Sequence, residues 1–296
     1  MRAPVTAYLD TNAILDLFPR PGTNLSPHEN RRRDTFAREA RRLLKLREAH
    51  HRIRLSATPI LFQELARHSQ SDPDRYLRIV EFARPLYGRR VFLDGPLLIA
   101  EEFRRAGAVP SPARYADREH ITKFWIAATR PSFLAQVIPL ARAEAHQYAQ
   151  QHEALRDSVM PAIHGVTRRP NESLHQALWR WWSADGLTLI RDMAADSVRD
   201  LAADMAGSDY PRSFPVERLT AFWYSFSYRL ARVVLDIAEQ RQIKPSDYAD
   251  PLHYITGAYS DVLVTDDATL HDVHARQPWS TVRPLRLAAF MADYLA

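Results

Sequence analysis

The chain of 296 residues has no cysteine, only eight glycines, and only three lysines, Lys45, Lys123 and Lys244. Without cysteine there is no disulfide framework, no thiolate zinc site and no cysteine nucleophile, which fits a reducing, cytoplasmic setting. Scattered glycines leave no Gly-rich phosphate cradle of the P-loop or dinucleotide type. No apolar run reaches the roughly 18 residues of a membrane span, and Asp10 interrupts the first apolar stretch, so no signal peptide or membrane segment is expected. With 46% hydrophobic and 25% charged residues, there is ample material for a buried core. The net charge is +5, and nearly all the positive charge is arginine. Arginine binds phosphate bidentately and stacks on bases, so nucleic acid is a permitted partner; GC-rich coding gives the same bias.

The chain reads as strand and helix alternating at both ends around a helical middle. Residues 6–9 form a β-prone apolar run that stops at Asp10, and Ala13, Ile14 and Leu15 open a helix. A basic helical stretch, ENRRRDTFAREARRLLKLREAHH, follows a Pro/Gly/Asn/Ser loop. Its expected inner stripe is Phe36, Ala40, Leu43 and Leu44, with the stem of Arg47. Residues 52–57 alternate as a strand, with Thr58 as N-cap and Pro59 as the first position of a helix over 60–68. Residues 72–240 carry helical periodicity with many aromatics and one further strand signal at 90–93. Breaks are expected at 110–112, 169–171 and 208–215. The strand signal returns at 261–265, after a helix opening near Pro251 and before a closing segment from Thr281. The expectation is an α/β fold with one parallel sheet assembled from residues 1–71 and 241–296, and a large all-α insertion over 72–240.

Asp10, Glu64, Asp250 and the pair Asp266 and Asp267 all fall where a strand ends or a helix begins, or one turn into a helix that follows a strand. In an open parallel sheet these positions converge on the crevice at the carboxyl ends of the strands. Glu64 shares the apolar face of its helix with Ile60, Leu61 and Leu65, where an unpaired carboxylate is costly. A carboxylate cluster in a cysteine-free chain is the ligand set of a hard divalent cation, Mg²⁺ or Mn²⁺. Each acid has a structural alternative. Asp10 could cap a strand end and Asn12 the next helix. Glu64 could pair with an arginine of the basic helix, and Asp250, before Pro251, is a natural N-cap. Asp247 could replace or assist Asp250.

LDTNAIL around Asp10, SATPILFQEL carrying Glu64, and DYADPLHYITGAYSDVLVTDDATL near the C-terminus resemble the three acidic motifs of PIN-domain nucleases. The resemblance covers roughly the first 70 and last 55 residues and not the middle. It implies a PIN-like, Rossmann-like core that cleaves RNA with one or two Mg²⁺ or Mn²⁺ ions. Asp10, Glu64, Asp250 and Asp267 would be ligands and catalytic residues, and Asn12 and Thr265 polar support. The family pattern counts two positions past the threonine, which selects Asp267 and leaves Asp266, like Asp247, a supporting role. Bacterial toxins of toxin–antitoxin pairs are similar in this core, so a toxin or defence role with an inhibitory protein partner is a reasonable expectation. Self-association is open.

Other features are weaker. Arg31, Arg32, Arg38 and Arg42, with Arg33 and Arg41, could hold an RNA backbone or be a solvated helix face. His253, one turn beyond Asp250, could touch a phosphate or bond a neighbour. His271 and His274 have the spacing of paired ligands but read as surface histidines. Trp179, Trp181 and Trp182, with Phe222, Trp223, Tyr224 and Phe226, read as core rather than base-stacking residues. Two rivals stand beside the nuclease. A haloacid-dehalogenase-type phosphatase needs a second acid two residues after the first, where this chain has Asn12. A binding module would carry an occluded, PIN-like pocket.

Overall fold

The computed structural model describes residues 3–22, 24–205, 215–242 and 244–295. The apolar run before Asp10 forms β1 (Val5–Leu9), whose Ala7, Tyr8 and Leu9 are fully buried. It is central in a four-stranded sheet of order β2-β1-β3-β4, with β2 (Ile53–Ser56), β3 (Val262–Val264) and β4 (Pro284–Leu285). Every pairing is parallel: Ala7 lies opposite Leu55 on one side and Val262 on the other, and Val264 opposite Leu285. Strands covered on both faces read as continuous apolar runs, and all three residues of β3 are buried. The sheet therefore joins the two ends of the chain, and the protein is an α/β fold with a small parallel sheet flanked by many helices.

Local chemistry sets the helix starts. Asp10 caps α1 (Thr11–Asp16) by accepting from the Ala13 backbone N–H at 2.8 Å. Ser26 and Glu29 form a reciprocal capping box at α2 (Pro27–Ala49). Thr58 caps α3 (Pro59–His68), with Pro59 in the first turn. The stripe that α2 buries is Ala37, Ala40 and Leu44; Leu43 is half-buried, and Phe36 is turned out, 37% exposed. One residue is about 100° of helix rotation, so a stripe running through Ala37 carries Phe36 away from the core.

The middle of the chain folds into α4 (Pro73–Tyr87), α5 (Gly95–Arg105), α6 (Arg118–Ala128), α7 (Pro131–His164), α8 (Leu174–Met205) and α9 (Thr220–Glu239). The strand expected at 90–93 is reduced to two isolated bridges, Val91 to Ala57 and Phe92 to Tyr115. The breaks at 110–112 and 169–171 fall between helices; residues 208–214 of the third lie outside the described residues. The chain then returns through α10 (Asp250–Ala258), β3, α11 (Ala268–Ala275), β4 and α12 (Leu287–Phe290). Helix α9 packs against α5, α7, α8, α10 and α11. The main apolar core runs from Tyr8 and Leu263 of the sheet through Tyr76 and Trp125 to Trp182 and Tyr228, with smaller clusters around Tyr148 and around Phe92. Trp179, Phe222, Trp223 and Tyr224 are buried, and Trp181 and Phe226 half-buried against it. Among the described residues no helix is long and apolar enough to cross a membrane.

Candidate metal centre

Because all strands are parallel, the residues that follow β1, β2 and β3 gather at one edge of the sheet. Asp10 is 2% exposed there. Its carboxylate caps α1 and accepts a hydrogen bond from the Thr265 hydroxyl. Burial pushes its pKa up to about 7, against the charge of His253 and the two hydrogen bonds. The same Thr265 oxygen accepts from the Asp267 backbone N–H at 3.1 Å, so one hydroxyl ties the first acid to the last. Asp267 caps α11 through the Leu270 N–H at 2.8 Å, and the Asn12 amide donates to it at 3.5 Å.

Glu64 is 6% exposed on the inner face of α3. Burial alone would raise its pKa, but His253 at 2.7 Å and the Thr11 hydroxyl at 2.6 Å hold it below the ordinary value, with help from Arg67 at 3.4 Å. The arginine beside Glu64 thus comes from its own helix and not from α2. His253 is 3% exposed, and its other nitrogen lies 2.5 Å from the Tyr8 hydroxyl. Burial disfavours its charge, yet the hydrogen bond and charge of Glu64 carry its pKa above the usual imidazole value.

Asp250 is the first residue of α10 and not its N-cap, which is Ala249. Its carboxylate accepts from the Tyr228 hydroxyl at 3.3 Å and lies 3.7 Å from the Arg232 guanidinium. Burial, followed by the charges of Asp267, Asp247 and Glu64, raises its pKa well above the carboxylate range. Asp247 stands behind it, bonded to Arg232 at 2.8 Å and to the Lys244 backbone N–H at 2.9 Å. Asp266 points elsewhere, accepting from the Leu287 N–H at 3.3 Å with Arg286 at 3.8 Å. His271 and His274 are half-buried, the first 3.0 Å from the Thr265 carbonyl and the second 2.9 Å from the Tyr254 hydroxyl.

Glu64 is thus electrostatically coupled to Asp10 and to Asp250, and Asp250 to Asp267. Among the described residues, no three His, Asp or Glu side chains close to metal-holding geometry. The chemistry of the donors does fit a hard divalent cation. They are oxygen ligands, and burial followed by the charges of neighbouring carboxylates raises the pKa of Asp10 and of Asp250, a repulsion that a cation would relieve. Arg31, Arg32 and Arg38 are exposed and make no ion pair among the described residues, whereas Arg42 pairs with Glu39 at 2.6 Å and Arg33 lies 3.9 Å from Asp16.

Tyr8, Thr11, Arg67, Tyr228 and Arg232 were not singled out by the sequence reading. For Arg232 a signal existed: a cation four residues before Asp236 inside the apolar run LARVVLD. No family model matches the chain, and neither a curated protein nor a solved structure is significantly similar to it.

Proposed function

We propose that the protein is a metal-dependent endoribonuclease with a PIN-like core, residues 1–71 and 241–296, and a helical insertion over 72–240. The observation that carries this reading is the gathering of Asp10, Asp250 and Asp267 at helix starts and Glu64 on the inner face of α3 toward one edge of a parallel sheet, with the pKa of Asp250 raised by burial and by the charges of its neighbours. Asp10, Glu64, Asp250 and Asp267 would hold one or two Mg²⁺ or Mn²⁺ ions. When bound, such an ion supplies a water of lowered pKa and a Lewis acid at the scissile phosphate. Thr265 fixes Asp10 and the backbone of Asp267, Asn12 steadies the Asp267 carboxylate, and Tyr228 and Arg232 orient Asp250. Asp10 and Asp250 shed their protons when they take up a ligand role, which ties cation uptake to proton release. No protein nucleophile is needed, and the products are a 5′-phosphate and a 3′-hydroxyl.

One observation favours a second reading, a nucleic-acid or protein binding module with an occluded site: Glu64 is already neutralised by His253. Cleavage of a labelled pool of single-stranded RNA, structured RNA and single-stranded DNA in Mg²⁺, Mn²⁺ or EDTA separates the two. A nuclease cuts RNA only with metal and loses cutting in Asp10→Asn. A binding module cuts nothing and retains a folded Asp10→Asn form.

A further inference from the structure

The large apolar side chains exposed among the described residues are Phe36, Leu46, Leu97, Ile126, Leu140 and Leu174, and Phe36 alone is aromatic. It stands on the outer face of α2 as the wall between two hollows. One, of about 330 Å³, is also lined by Asp16, Arg32, Arg33, Asp266 and Leu287. The other, of about 570 Å³, shares Phe36 and Arg32 and adds His28, Arg31, Thr35, Met291 and Glu39, whose carboxylate is paired with Arg42. No aromatic ring of the described residues packs on Phe36, and Arg31 and Arg32 make no ion pair among them. An isolated exposed phenyl needs no explanation; a phenyl flanked by unpaired guanidiniums and a hollow on each side is a different arrangement.

The first hollow is tied to the acidic centre through two of its lining residues, Asp16 and Asp266. Helix α1, capped by Asp10, runs from Thr11 to Asp16, a rise of about 9 Å for its six residues, and Asp16 lines the hollow. Asp266 is the chain neighbour of Asp267. A strand whose phosphate lay at the carboxylates would therefore lead directly onto α2, where arginine charge meets it.

We infer that the outer face of α2 is the track for a single strand of nucleic acid, with an unpaired base stacked on Phe36 and the backbone held by Arg31 and Arg32. The inference rests on the nuclease reading and narrows its substrate to unpaired strands. An aromatic face takes any base, because every base presents a π-face, and duplex bases are stacked on each other and cannot reach it.

The test is fluorescence anisotropy on full-length Asp10→Asn protein, which binds without cutting. The probes are a uridine-rich single-stranded RNA, the same sequence as DNA, an abasic strand of equal length and a blunt RNA duplex. Adding Phe36→Ala is expected to weaken binding of the base-carrying strands roughly five- to hundredfold and to leave the abasic strand unchanged. Phe36→Tyr restores the affinity. Arg32→Gln weakens every probe and lowers the salt slope by about one. Unchanged single-strand affinity in Phe36→Ala, or tighter binding of the duplex, overturns the proposal. So does an absence of binding to every probe at low salt, which would leave the face to a protein partner. Wild-type cleavage of RNA with no effect of Phe36→Ala sinks the track alone. Stacking-dependent binding by a wild type that cuts nothing sinks the nuclease alone.

Discussion

His253 Nε2 and Glu64 Oε2 lie 2.7 Å apart in a site where both side chains are almost fully buried. The pair spans 189 residues of sequence and locks α10 to α3 across the edge of the sheet. As an imidazolium, His253 donates from both nitrogens, to Glu64 and to the Tyr8 hydroxyl of β1. His253, its pKa raised by Glu64, thus faces a carboxylate whose pKa is held below the ordinary value although burial opposes it.

His253→Ala should destabilise the protein by about 3 kcal/mol, because an uncompensated buried carboxylate remains. Urea unfolding of wild type, His253→Ala, Glu64→Gln and the double variant measures it. The double variant is expected to lose less than the sum of the single losses. Strict additivity would show that the two side chains do not stabilise each other.

Arg232 carries a heavier electrostatic task. It is 3% exposed, bonded to Asp236 at 2.9 Å and Asp247 at 2.8 Å, and 3.7 Å from Asp250. Arg232→Met keeps the volume and removes the buried cation shared by Asp236, Asp247 and Asp250, so a loss of about 3–5 kcal/mol is expected at neutral pH. Asp236→Asn combined with Asp247→Asn in the Arg232→Met background should recover part of it. A single variant as stable as wild type would remove the argument.

Glu102 lies outside the acidic centre and is fully buried, accepting from the Ala221 and Phe222 backbone N–H groups at 2.6 and 3.0 Å and from the Tyr259 hydroxyl. It thereby caps α9 from another helix. Burial lifts its pKa from 4.5 to about 7 against those hydrogen bonds. Between these values the folded chain holds a proton that the unfolded chain has released, so the contribution of Glu102 to stability falls as pH rises across that window and levels off above it. Glu102→Gln keeps one acceptor oxygen and should cost about 1–3 kcal/mol through an unpaired N–H. The difference between wild type and variant should shrink as pH rises from 4.5 to 7. Urea midpoints across that range check the sign, and a difference that grows with pH would contradict it.

If the centre is nucleolytic and the protein acts as a toxin, induced expression of the wild type arrests growth and Asp10→Asn does not. Equal growth of the two removes the argument for toxicity.

Features set by neighbouring residues were legible in the sequence. Thr58 and Pro59 start α3 where cap and proline chemistry place it, and Val262 to Val264 form a buried strand because β-branched and apolar residues fill all three positions. Asp250 was expected to cap its helix because Pro251 follows it, yet Ala249 takes the cap position in a helical conformation and leaves the carboxylate for Tyr228 and Arg232. Phe36 was expected inside because its neighbours are periodic. Ala37 takes its place beside the expected Ala40 and Leu44, and apolarity alone does not say which of two adjacent positions faces the core. Strand β4, two residues long and begun by Pro284, offers no periodicity to read. Arg67, one turn beyond Glu64, and Arg232, four residues before Asp236, sit at helical spacings that the sequence displays, whereas the reach of Arg232 to Asp247 and Asp250 depends on the packing of α9 against the start of α10.

The most direct test of the central claim is a calorimetric titration of the full-length protein with Mn²⁺, in buffers of different ionisation enthalpy. The account predicts saturable binding of one or two ions with proton release near neutral pH, lost in Asp10→Asn and in Asp250→Asn and retained in Glu102→Gln. Folded wild type that takes up no Mn²⁺, or takes it up equally after Asp10→Asn and Asp250→Asn, would contradict it.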